Sequence, residues 1–285
     1  MQRHPPEVIV VAYGAPELLT DALASLGPDL RVLIVDNSLS DQVRAVARQH
    51  GATYIRPERN LGFAAGVNVG RLAMTPGRDV LLLNADARLS GEAALLLHER
   101  LTDGIAAVAP RLRRPSSELE RTRWPMPSPL SPWFGIVGLS DHVPRAAHFL
   151  SGAVLMLSHR ALDEVGPFDE RYFMYSEEAD WQRRALRAGW RLLEVPEVCA
   201  VHIGGGSSRD PHLREVLFHG SAELFMRKWF GYFGWSIFRV GSFFAAARRL
   251  AIARDAGQRR SAISTMSLYL RGPARSLPAM ARFRA

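Results

Sequence analysis

The sequence predicts an α/β fold built on a mostly parallel central sheet with helices on both faces. Two observations carry this. Apolar runs such as Val8–Tyr13, Arg31–Asp36 and Asp79–Leu83 lack the polar alternation of a half-solvated strand, so they belong to strands covered on both sides. Segments of helical length separate them, and such βαβ alternation lays successive strands side by side in parallel.

Val8–Tyr13 reads as the first strand. Pro16 then opens a helix running through Leu26, because its ring presets a helical φ where no backbone donor is needed. Arg31–Asp36 follows as a strand, Asp41–His50 as a helix and Thr53–Ile55 as a short strand. Phe63–Met74 suits a helix, Asp79–Leu83 a strand, Gly91–Leu101 a helix and Ile105–Ala109 a strand. From Pro110 to Arg145 the pattern breaks, with Pro115, Pro125, Pro127, Pro129 and Pro132 among serines, arginines, Trp124 and Trp133. That composition predicts a long irregular excursion over the site. His148–Leu157 resumes as a strand interrupted by Gly152, and Glu177–Ala188 is a helix stopped by Gly189. His202 ends the apolar run from Val198 and precedes a glycine-rich loop, Gly204–Ser208.

Composition excludes several classes. The 285 residues are 47% hydrophobic, a globular and not a disordered balance. The single cysteine, Cys199, rules out an intrachain disulfide. The run from Val8 to Ala12 is too short for a signal-peptide core, and no 18 uncharged apolar residues occur together. A cytoplasmic protein is expected. The net charge of +8 is uneven: Met226–Ala285 holds 12 Arg or Lys against one acid, Asp255, which leaves −3 for residues 1–225. The basicity is therefore local, and no nucleic-acid partner is predicted.

These features divide the chain into a catalytic-type domain, residues 1–225, and a basic, aromatic-rich helical extension, residues 226–285. Trp229, Phe230, Tyr232, Phe233, Trp235, Phe243 and Phe244, followed by Arg248 and Arg249, suit an interfacial helix on anionic lipid at the inner face of the plasma membrane. The competing reading packs that face on the domain or on a second copy in a homodimer.

Several polar residues stand where a sheet of this kind binds ligands, beyond the carboxyl ends of its strands. Asp36 ends the second strand, where it can contact a ribose or base or simply form the Asp36-Asn37-Ser38 turn. In Asn60–Gly70, glycines at 62, 66 and 70 fall on one helix side, for close packing or for a ligand that Asn60 and Asn68 would meet with their amides. Asp86 closes the apolar Leu81-Leu82-Leu83-Asn84-Ala85-Asp86 and can hold a hard divalent cation. Phe173-Met174-Tyr175-Ser176-Glu177-Glu178-Ala179-Asp180-Trp181 offers three carboxylates among aromatic residues, a setting for a general base or for a helix start favoured by the macrodipole. His202 is a further candidate metal ligand. The first strand's exit, Tyr13-Gly14-Ala15-Pro16, lacks the glycine fingerprint of a dinucleotide turn.

Taken in order, Val10–Tyr13, Val35–Asn37, Asn60–Gly70, Leu82–Asp86, Gly166–Glu170 and Tyr175–Trp181 resemble the family-2 glycosyltransferases of the GT-A fold, in particular the rhamnosyltransferase-like branch. The resemblance covers roughly residues 7 to 230 and implies an inverting transfer of a sugar from a nucleotide-diphosphate donor, assisted by Mg2+ or Mn2+. It implies donor contacts at Ala12, Tyr13, Asp36, Asn60, Gly62, Asn68, Asn84, Ala85 and Gly152. Asp86 resembles the last acid of the family's metal motif, whose first acid is Asn84 here, and His202 resembles a further metal or diphosphate ligand. Glu178 falls where the family places a catalytic Asp, with Glu177, Asp180 and Trp181 toward the acceptor.

The expected chemistry is a direct displacement in which Glu178 deprotonates an acceptor hydroxyl. The donor would be a dTDP-, UDP- or GDP-linked sugar, with rhamnose the sugar that the branch implies. The acceptor would be a lipid-linked sugar or polysaccharide in envelope glycan synthesis. A sugar nucleotidyltransferase would need a phosphate-cradling loop, and a non-catalytic nucleotide-sugar-binding scaffold would need no base.

Overall fold

The computed structural model describes residues 4–138, 148–204, 210–278 and 281. By its own contacts the chain divides into two compact units: Met1–Trp124, Phe149–Glu170 and Glu177–Arg209 form one, and Pro125–His148, Arg171–Ser176 and Asp210–Ala285 the other.

In the first unit the expected elements appear in order. They are β1 (Glu7–Ala12), α1 (Pro16–Leu26), β2 (Val32–Asp36), α2 (Asp41–Gln49), β3 (Thr53–Ile55), α3 (Phe63–Leu72), β4 (Val80–Leu83), β5 (Ala87–Arg88) and α4 (Gly91–Arg100). Next come β6 (Ile105–Arg113) and β7 (Leu119–Glu120), and then β8 (Arg123–Pro125), which leads into α5 (Ser131–Ile136) of the second unit. The chain returns through β9 (His148–Leu150), β10 (Val154–Leu157), α6 (His159–Val165), α7 (Glu177–Arg187) and β11 (Arg191–His202).

The sheet order is β3-β2-β1-β4-β10-β6-β11-β5, with β7 added on β6, while β8 and β9 pair separately. β1, β2, β3, β4, β6 and β11 run one way, and β5, β7 and β10 run against them. The sheet is thus mostly parallel, as the unalternated apolar runs predict. Successive β1 residues feed opposite cores. Val8, Val10 and Ala12 pack with Leu19, Leu23, Val43 and Leu97, whereas Ile9 packs with Ala64, Val67, Leu162 and Trp181. Helices α1, α2 and α4 therefore cover one face and α3, α6 and α7 the other.

The glycine side of α3 is spent on that second layer. A Cβ on Gly66 would lie 2.8 Å from Val11 Cγ1, and one on Gly70 2.8 Å from Ile9 Cγ2. Of the two readings of this glycine face, close packing and a ligand, the structure shows the packing at Gly66 and Gly70. The side chains of β1 supply it.

The irregular excursion is also shorter than expected. β6 continues to Arg113 and returns as β7 across a turn in which Arg114 N donates to Glu118 O at 2.8 Å. Residues 139–147 of the excursion, and Gly205–Ser208 of the glycine-rich loop, lie outside the described residues.

The second unit contains α5, α8 (Pro211–Ala251), α9 (Ala256–Arg271) and a 3-10 turn at Pro273–Ser276. α8 begins well before residue 226: Asp210 caps it by accepting from His212 N and Leu213 N, with Pro211 at the first helical position. The expected boundary at 225/226 therefore falls inside a helix. This unit also has a core that the sequence reading did not foresee, where Phe173, Val216, Leu217, Leu268, Leu277 and Ala281 pack together. Gly231, at φ 64, breaks the helical path of α8.

Candidate active site

Strand direction alone gathers the candidate residues of the first unit. β1, β2, β4 and β11 are co-directional, so Ala12–Tyr13, Asp36, Asn84–Asp86 and His202 all emerge at one edge of the sheet. β10 runs the other way with Val154 opposite Leu83, which brings Ser151–Ala153 to that edge too. Asn84 N donates to Ala153 O at 2.9 Å. A Cβ on Gly152 would meet Glu178 Cβ and Cγ at 3.6 Å. A short path of contacts thus links the acidic end of β4 to the start of α7.

At the β4 end, Asp86 is buried and its Oδ1 lies 3.5 Å from His202 Nε2. That is longer than a good hydrogen bond. His202 Nδ1 lies 3.0 Å and 3.2 Å from the two carboxylate oxygens of Glu120. Burial alone would lower the His202 pKa, but Asp86 and Glu120 outweigh it and raise it above the usual imidazole value. A carboxylate beside an imidazole that a second carboxylate orients is a donor set that fits a divalent cation. Among the described residues, no group of three His, Cys, Asp or Glu side chains forms a metal cluster.

At the start of α7, Glu177 Oε2 and Glu178 Oε2 are shut off from solvent and have no hydrogen-bond partner among the described residues. Burial, then the charge of Glu178, raises Glu177 well above the ordinary carboxyl value, and burial raises Glu178 as well. Both carboxyls therefore hold their protons to higher pH than free ones do, Glu177 more strongly than Glu178. Tyr175 and Ser176, just before the helix, adopt left-handed φ values of 71 and 67, which cost non-glycine residues energy.

The other two residues expected toward the acceptor lie elsewhere. Trp181 is fully buried, stacks on Phe168 with ring centroids 5.7 Å apart, and donates from Nε1 to Gly166 O. Asp180 is also fully buried and accepts from Arg184 Nε at 3.1 Å, while Arg184 donates to Val165 O and Pro167 O. Helical periodicity explains this correction: Asp180 lies two residues, about 200°, around the helix from Glu178, and with Trp181 it shares the buried side of Glu177.

The donor-side residues divide into wall and scaffold. Tyr13 is 45% exposed at the β1 exit, Ala12 is buried beneath it, and Ala85 is buried beside Asp86. Asp36 is fully buried and accepts from Ser38 N, Ser38 Oγ, Ser40 N and Tyr54 Oη. Its carboxylate organises the loop after β2. Asn60 Oδ1 accepts from Gly62 N, and Asn37 receives Leu61 N and donates to Gly62 O. Asn68 exchanges both its amide bonds with the Phe168 backbone and reaches Glu170. These amides therefore serve the chain itself. Sequence reasoning missed Glu120 and Tyr54. The turn signal Pro115-Ser116-Ser117 behind β6 could have exposed the first.

Residues 7–166 match the family model described as Glycosyl transferase family 2. An N-acetylglucosaminyl-diphospho-decaprenol L-rhamnosyltransferase of Mycobacterium tuberculosis is 29% identical over 254 residues, covering 77% of this chain and 83% of that protein. The low-salt glycan biosynthesis hexosyltransferase Agl10 of Haloferax volcanii is 26% identical, covering 68% of this chain and 66% of its own length. Among solved structures, Staphylococcus aureus TarS residues 1–349 aligns with TM-score 0.55 at 14% identity, over 95% of this chain and 82% of that chain. GalNAc-T7, crystallised with UDP, GalNAc and Mn2+, aligns with TM-score 0.60 at 15% identity, over 93% of this chain and 55% of that one.

Proposed function

Because the chain belongs to glycosyl transferase family 2, in its rhamnosyltransferase-like branch, we propose that its sheet edge performs an inverting sugar transfer from a nucleotide diphosphate to an acceptor hydroxyl. The observation that carries this reading is the buried, partner-free Glu178 oxygen standing over Gly152, linked through Ala153 and Asn84 to Asp86. A buried carboxylate oxygen without a donor is costly. An acceptor hydroxyl supplies that donor, and the raised pKa makes Glu178 a stronger base for its proton.

Gly152 leaves the donor sugar room beside the base. Tyr13 and Asn84 line the nucleotide side above the buried Ala12 and Ala85, and Asp36, Asn60, Gly62 and Asn68 hold the surrounding loops in place. Asp86 and His202 would hold Mg2+ or Mn2+, which when bound neutralises charge growing on the departing diphosphate. The similarity to a decaprenol-linked rhamnosyltransferase supports a deoxyhexose donor, a lipid-linked acceptor and a place in envelope glycan synthesis. Such an acceptor calls for a chain that works at the cytoplasmic membrane face, and the exposed aromatic and basic residues of α8 and α9 supply one.

The test is transfer measured with dTDP-, UDP- and GDP-sugars against a lipid-linked amino sugar. Glu178→Gln should lose about 100-fold or more in kcat with little change in KM. Asp86→Ala should lose comparable activity together with its response to Mn2+. Unaltered turnover by Glu178→Gln would remove Glu178 from the mechanism, and retained donor binding without any transfer would favour a nucleotide-sugar scaffold.

A further inference from the structure

We propose that Glu120 is a positioning residue: it holds His202 in the tautomer that turns the Nε2 lone pair toward Asp86, and so sets the affinity of that pair for a divalent cation. The inference rests on the cation reading above and goes beyond it, to a residue on the added strand β7. The geometry is two-sided. His202 Nδ1 lies 3.0 Å from a Glu120 oxygen, and Nε2 lies 3.5 Å from Asp86 Oδ1. Both carboxylates accept only, so in the neutral ring the single hydrogen goes to the nearer one, Glu120 at 3.0 Å against Asp86 at 3.5 Å, and sits on Nδ1. Nε2 is then an acceptor facing a second acceptor, Asp86, and an electrophile between them relieves the opposition.

The register of the sheet builds this arrangement. Leu112 of β6 pairs with Glu120 in β7 and with Ala200 in β11, so the three share a face. His202, two residues beyond Ala200, returns to that face by the period of a strand. The turn between β6 and β7 places Ser117 at φ 66, a left-handed conformation that fixes where β7 begins its return. The Glu120 side chain remains 24% exposed against 13% for His202, so it approaches the ring from the solvent side. Carboxylates in this position orient the imidazole and raise its basicity toward a metal, and their loss typically costs 10- to 100-fold in metal affinity.

The experiment uses the full chain with Mn2+ alone, free Mn2+ being followed by electron paramagnetic resonance. In parallel, the tautomer of neutral His202 is read from 15N-histidine spectra at a pH high enough to remove the ring's second proton, assigned with His202→Gln. Glu120→Ala should weaken Mn2+ binding about tenfold or more and move His202 away from a pure Nδ1–H form. Glu120→Gln, whose amide oxygen still accepts from Nδ1–H, should restore the tautomer and most of the affinity. An unchanged tautomer in folded Glu120→Ala overturns the role of Glu120, whatever the metal does. No saturable Mn2+ uptake by the wild type overturns the cation reading, and the claim about affinity with it. The two failures are therefore distinct.

Discussion

Gly152 packs against Glu178, so that a methyl group on the glycine would touch the Cβ and Cγ of the glutamate at 3.6 Å. The glycine lies at the β10 end of the sheet edge and the glutamate in the first turn of α7.

Gly152→Ala should therefore fold normally, since 3.6 Å is ordinary van der Waals distance, and should lower transfer only a few-fold. Gly152→Val projects further toward the carboxylate and should cost about 100-fold in kcat/KM, or roughly 3 kcal/mol of transition-state stabilisation. Steady-state kinetics on both variants, with melting curves as the control for folding, checks this. Equal activity of Gly152→Val and wild type would mean that the sugar does not approach from this side.

The Glu177–Glu178 pair makes stability depend on pH in a direction unusual for carboxyls. Both folded pKa values lie above the ordinary value of 4.5. The native state therefore keeps protons that the unfolded chain has released, and this contribution is fully present only below pH 4.5. It is lost as pH rises through the folded values. Glu177→Gln mimics the protonated acid, so it should remove much of the decline in urea-unfolding free energy as pH rises above 4.5. A variant as pH-sensitive as the wild type over that range would place the proton elsewhere.

Asp79 gives the opposite sign in the same protein. Burial would raise it, but hydrogen bonds from His98 and from the backbone and ring of His159 hold it down at about 2, below the ordinary 3.8. Its stabilising contribution is present above pH 3.8 and is lost as pH falls through about 2. A depression of this size corresponds to about 2 kcal/mol. Asp79→Asn should lose roughly that much at pH 7 and much less at pH 2.5. Denaturation at the two pH values provides the comparison.

How far the sequence could be read depends on what each signal measures. The apolar runs gave the strand positions of the first unit because burial on both faces leaves few polar residues to blur the pattern. The helix from Glu177 was equally legible, yet the places of Asp180 and Trp181 were not, because adjacency in sequence hides a rotation of about 100° per residue. The glycines at 66 and 70 announced a close approach without saying of what. Val11 and Ile9 answer that. The boundary at residue 226 followed a change in composition, whereas the backbone follows the cap at Asp210-Pro211, a helix-start signal already present in the sequence. Glu120 was beyond reach because its partner stands 82 positions away and meets it only through strand register.

The second unit keeps several large apolar side chains exposed. Tyr232 is 75% exposed, Phe233 82% and Leu270 65%, all large apolar groups that folding has left in water. No helix among the described residues is long and apolar enough to cross a membrane. Shallow insertion of these side chains, with nearby arginines paired to lipid phosphates, accounts for the exposure without a spanning segment. Vesicles of phosphatidylglycerol and phosphatidylcholine should carry the wild type upward in a flotation gradient, less so as salt rises. Tyr232→Ser with Phe233→Ser should reduce the floated fraction about tenfold while leaving the melting temperature within a few degrees, because neither side chain is packed. A double variant that floats like the wild type, or that elutes at half the wild-type mass, would instead assign these residues to contact between two copies of the chain.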